Sequence, residues 1–125
     1  MPELPQHTYE EIREVVIDVL LKKDPTVNQF TLVLDKVALI LEQRNPIPGR
    51  QAGVRDYMHK SDKALVREVF WDLFRQGVIT LGIDDFNSGW PWFQLSRFGE
   101  SALAQQNPYR FHDTSSYINT SLQIV

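Results

Sequence analysis

Residues 64–81 read ALVREVFWDLFRQGVITL, and residues 90–103 read WPWFQLSRFGESAL. The first stretch changes period partway. Leu65, Val66, Val69, Phe70, Leu73 and Phe74 recur at helical spacing and predict one apolar helix face. Ser61 and Asp62 are suitable N-caps for that helix, which should run to about Gln76. Gly77 is its natural stop, because glycine adopts the left-handed closing conformation without penalty. Val78 to Leu81, mostly β-branched, then reads as a strand. The second stretch reads as the returning strand over residues 90–95, with Phe93 and Leu95 on one face and Trp92 and Gln94 on the other. Pro91 cannot donate to a ladder, so this strand lies on an edge. Ile83 to Gly89 is turn chemistry between the two strands. Ser96 caps a last short helix, expected over about 97–105.

Upstream, Thr8-Tyr9-Glu10-Glu11 has the form of a capping box. Ile12, Val15, Val16, Val19 and Leu20 follow at helical spacing, so a first helix is expected over about 8–23, ended by Pro25. The start of Asn28-Gln29-Phe30-Thr31-Leu32-Val33-Leu34 has the character of a short strand. From about Leu32 to Gln43 the apolar spacing fits a second helix. Asn45-Pro46-Ile47-Pro48-Gly49 breaks it and opens a long connection over residues 45–60. Residues 106–125 are polar with scattered aromatics and read as a C-terminal extension, linker or arm outside a single domain over 1–105.

The bulk numbers narrow the classes. A chain of 125 residues, 42% apolar and 23% charged, suits one soluble domain with a single core. No apolar run is long enough to span a membrane, and the N-terminus has no basic stretch followed by an apolar one, as a secretion signal would. The chain has no cysteine, which removes disulfides, thiolate metal sites and thiol nucleophiles and fits a reducing, cytoplasmic setting.

The order helix, helix, helix, two-stranded hairpin, helix resembles that of winged helix-turn-helix domains of prokaryotic regulators. The resemblance rests on two phrases, Leu73-Phe74-Arg75-Gln76-Gly77-Val78-Ile79 at the end of helix three and Leu95-Ser96-Arg97-Phe98-Gly99-Glu100-Ser101-Ala102-Leu103 after the far strand. It covers roughly residues 8–105. It implies an α+β, mostly helical fold: a three-helix core, a two-stranded β-hairpin wing and a C-terminal helix. It also implies duplex DNA as partner, with helix three in the major groove and a role in transcription regulation or in targeting a larger system. Two features depart from the pattern. The link between helices two and three is long and proline-bearing instead of a tight turn, and the wing tip carries Asp84 and Asp85, which repel phosphates.

The charge distribution bears on that partner. The formal net charge is −3, yet residues 44–67 carry six bases against two acids. Helical rotation gathers Lys63, Ala64, Arg67, Trp71 and Arg75 on the face opposite the apolar one. Lys63, Arg67 and Arg75, with Lys60 at the helix entrance and Arg50 and Arg55 on the long connection, are therefore the candidate DNA-contacting residues. A local patch suffices for phosphate contact, so an acidic total is no veto. The competing reading is a solvated basic face, or a winged helix that binds protein instead, as partner or homodimer, through Trp71, Trp90 and Trp92. Catalysis is not expected. The three histidines stand far apart without motifs, and no phosphate loop, nucleophile elbow or metal-ligand spacing occurs. No cofactor or metal is implied.

Overall fold

The computed structural model describes residues 4–48 and 58–105. Their order is α1 (Tyr9–Leu21), α2 (Phe30–Arg44), α3 (Lys60–Arg75), β1 (Ile79–Leu81), β2 (Phe93–Leu95) and α4 (Arg97–Leu103). The fold is α+β and mostly helical, with one two-stranded antiparallel hairpin. Among the described residues no helix is long and apolar enough to cross a membrane. Arg50, Arg55 and the extension over 106–125 lie outside the described residues.

The local signals act as their chemistry dictates. Thr8 accepts the amide of Glu11 while the Glu11 carboxylate takes the Thr8 amide, so the capping box opens α1. Hydrogen bonding from the Thr8 amide, and then from the Thr8 side chain, holds the Glu11 carboxyl below its ordinary range. At the end of α3, Gly77 sits at φ +80°, its N–H donating to Phe74 and that of Val78 to Leu73. These paired bonds form a Schellman closure that aims the chain from helix into strand. Ser96 caps α4, accepting from Gly99 at 2.8 Å, and its own N–H returns to Val78.

The hairpin pairs Ile79 with Leu95, Thr80 with Gln94 and Leu81 with Phe93. Residues 28–30 do not form a strand, yet they supply a third rung. Phe30 donates to Pro91 at 2.9 Å and Phe93 to Asn28 at 3.0 Å, around a single bridge between Gln29 and Trp92. Pro91 thus stands on the outer edge, where its missing N–H costs nothing, but its carbonyl is used.

Four expectations shift. The returning strand is confined to Phe93–Leu95, which leaves Trp90 in the loop, preceding a cis Trp90–Pro91 peptide. α2 begins at Phe30, because the bridge delivers that residue straight into the helix. α3 begins at Lys60, not after Ser61 or Asp62. Its cap is His59, whose Nδ1 accepts from the Ser61 amide at 3.0 Å. Asp62 is instead buried, taking both the backbone N–H and the ring Nδ1 of His7 at 2.9 and 2.7 Å. Finally, Phe74 is turned outward and 38% exposed, since Val66, Val69, Phe70 and Leu73 fill the inward face.

α1 packs on both α2 and α3, with Ile12, Val16, Ile17, Val33, Val37 and Phe70 all but sealed from water. α4 approaches the start of β1 so closely that a Cβ at Gly99 would lie 1.9 Å from the Val78 carbonyl oxygen. This gives the Gly of the Leu-Ser-x-x-Gly phrase its physical reason. Gly99→Ala should therefore destabilise the fold by about 1–3 kcal/mol or more, because the clash is with backbone. Gly89→Ala, with nothing within 4 Å, should be silent. Denaturant unfolding of the two variants checks this, and equal midpoints would contradict it.

Candidate nucleic-acid interface

α3 presents one row to solvent. Lys60, Ala64, Arg67, Trp71 and Phe74 follow one another at steps of three or four, the spacing of neighbours on a helix surface. Lys60, Ala64, Arg67 and Phe74 are exposed, while Lys63 and Trp71 are half-buried. The row is therefore basic in its first half and aromatic in its second.

Arg67 is oriented by packing. Its guanidinium carbon stands 5.7 Å from the centroid of the Phe30 ring, a cation–π distance. Lys60 and Arg67 form no ion pair among the described residues, although Glu68 follows Arg67 in sequence and is exposed. Arg75 differs, because it is bound to Asp72 one turn earlier. Arg44, which opens the basic segment, reaches Asp18 of α1 at 3.4 Å. Of the six expected DNA-contacting residues, α3 thus brings together Lys60, Lys63 and Arg67. Arg75 is held apart by its acid, and Arg50 and Arg55 lie outside the described residues.

The aromatic half is a ring cluster. Trp90, from the loop before β2, stacks on Trp71 at 5.2 Å and 21°. Trp90 also meets Phe30 at 5.1 Å and the edge of Phe70 at 5.6 Å, while Phe74 meets Trp71 edge-on at 5.6 Å. Trp90 keeps 45% of its surface open. The two tryptophans thus fasten the hairpin loop to α3 and still leave apolar surface in water. Trp92 belongs elsewhere: it is half-buried opposite Gln29.

Beneath the row lies a polar seam between α1 and α3. The Tyr9 hydroxyl donates to Asp72 at 2.5 Å, and Asp72 also receives Arg75. Arg13, 2% exposed, is part of the same seam through Tyr9, and burial pulls its guanidinium below the ordinary arginine range. Sequence reasoning missed this seam and the His7–Asp62 contact. Their partners lie 63 and 55 residues apart, and no local pattern encodes them. No family model, no curated protein and no solved structure matches the chain.

Burial, reinforced by the bond to Asp72, pushes the Tyr9 hydroxyl well above the ordinary tyrosine range. A raised pKa means that the protonated form is favoured in the folded state. The stabilisation is present below about pH 10 and lost as pH rises past it. Tyr9→Phe should cost about 1 kcal/mol at neutral pH. The stability gap to the parent should hold to about pH 9 and close above about pH 10. Urea unfolding at a series of pH values measures it, and a gap that widens with pH would be the wrong sign.

Proposed function

We propose that the chain is a winged-helix DNA-binding module that docks α3 against duplex DNA, serving transcription regulation or the targeting of a larger cytoplasmic system. The observation that carries this reading is the exposed basic half of α3, where Lys60 and Arg67 are unneutralised by carboxylates among the described residues and Lys63 stands beside them. A single helix fits the major groove, and phosphate contact needs only such a patch. The order of the elements supports the winged-helix assignment. In this reading Lys60, Lys63 and Arg67 contact DNA from α3, and Arg50 and Arg55 reach phosphates from the long connection. Arg75 has a smaller part than its position on the helix suggests, because Asp72 already neutralises it.

A second reading has an observation of its own. Trp71, Phe74 and Trp90 leave aromatic surface open at the far end of the same row, the kind of anchor that dominates protein interfaces. In that reading the module binds a protein through this end of α3.

Fluorescence anisotropy on a labelled random-sequence duplex separates the two. The DNA reading expects binding at about 50 mM salt and a log–log salt slope of about −4.5, one phosphate for each of Lys60, Lys63, Arg67, Arg50 and Arg55. Lys63→Glu combined with Arg67→Glu should weaken it at least about tenfold. No binding at low salt, or an unchanged affinity in the double variant, would sink the DNA reading and leave the protein reading standing.

A further inference from the structure

The surface arginines are held in two different ways. Arg44 and Arg75 each lean on a carboxylate, Asp18 and Asp72. A carboxylate orients a guanidinium and cancels its charge in the same contact. Arg67 is exposed and pairs with no carboxylate among the described residues. Its guanidinium carbon stands over the Phe30 ring instead, 5.7 Å from the centroid. An aromatic face attracts a cation through its quadrupole but carries no net charge. A ring therefore orients the guanidinium without neutralising it. It also offers no oxygen acceptor, so the five N–H donors of the guanidinium remain for an outside anion.

The sequence of α3 keeps acids away from this arginine. Side chains three and four positions apart meet on a helix surface. For Arg67 those neighbours are Lys63, Ala64, Phe70 and Trp71. Glu68 adjoins it in sequence but is turned by about 100° around the helix. Lys63 is a like charge one turn back, which by itself would repel the Arg67 head. The hold on Arg67 thus comes from α2, across the helix packing, and not from α3.

The platform is itself fixed. Phe30 is 3% exposed, and its backbone amide donates to the Pro91 carbonyl at 2.9 Å. Phe70 meets its ring edge-on at 5.3 Å, and Trp90 lies 5.1 Å from it. A ring so surrounded does not swing away when the surface is engaged.

We propose that Phe30 is a positioning residue for DNA binding: it holds the Arg67 guanidinium in place and leaves its full charge for a backbone phosphate. A surface arginine loses rotamer freedom when it takes up a phosphate, and one that is already held loses less. Phe30 itself touches no DNA in this scheme and acts through Arg67. This inference rests on the DNA reading and adds to it the device that readies one of its contacts.

A double-mutant cycle tests it, with Phe30→Leu, Arg67→Gln and the pair measured by anisotropy on the labelled random-sequence duplex across a salt series. Phe30→Leu should weaken binding about two- to fivefold at each salt concentration. Its salt slope should stay that of the parent, because no charge is removed. Arg67→Gln should make the slope shallower by about one. In the Arg67→Gln background, Phe30→Leu should change affinity by less than about 1.5-fold, since the residue it acts through is gone. An equal loss in both backgrounds, or a slope that falls with Phe30→Leu, would overturn the positioning role while leaving DNA binding intact. No binding by the parent at low salt would instead sink the DNA reading itself. Side-chain NMR of the parent gives a test that needs no variant. The Arg67 δ-methylene protons should carry a ring-current shift in the free chain and keep it when duplex is added. Shifts that lie at unstructured values, or that move there on binding, would also overturn the proposal.

Discussion

Phe70 is the ring on which the rest of the molecule is assembled. It is 1% exposed and meets four other rings edge-on: Phe30 of α2 at 5.3 Å, Phe93 of β2 at 5.2 Å, Trp90 of the hairpin loop at 5.6 Å and Trp71 beside it on α3 at 5.8 Å. Edge-to-face pairs add specific geometry to apolar burial. One side chain therefore fixes where α2 starts, how the hairpin lies on α3 and which way Trp71 points. The outer row of α3 follows from it. Because Phe70, Leu73, Val66 and Val69 take the inward positions, Lys60, Arg67, Trp71 and Phe74 are left on the solvent side.

What could be read beforehand divides by range. As helix caps, Thr8, Gly77 and Ser96 each work through a group within four residues of themselves, so their sequence neighbourhoods predict that role, and each is found closing or opening its helix. The helical order and the hairpin follow from the same kind of signal. Phe74 shows the limit of periodicity. Its spacing fits the apolar face, but the position belongs equally to the row through Arg67 and Trp71, and a full core decides against it. The placement of Trp90 needs the fold itself. A strand reading of 90–95 gives it an alternating face, whereas contact with Phe30 and Phe70 draws it out of the ladder and onto α3.

The candidate site was legible in part for the same reasons. Rotating α3 by its own period puts Lys63, Arg67 and Trp71 together, and they are together. Rotation says nothing of neutralisation by acids. Arg75 is lost to Asp72, an acid that Tyr9 fixes from 63 residues away, and Arg44 is drawn to Asp18 on another helix. The result is a row whose basic half is the half nearer the start of α3. That half is also where His7 and His59 order the first turn, through Asp62 and the Ser61 amide.

The central claim is that this first half of α3 is the DNA-facing surface. Amide chemical-shift mapping of the labelled chain, titrated with a short duplex at low salt, tests it most directly. Perturbations are expected to concentrate from Lys60 to Trp71 and at Arg50 and Arg55, with the Ile83 to Asn87 turn undisturbed. An unperturbed α3, or shifts centred on that turn, would contradict it.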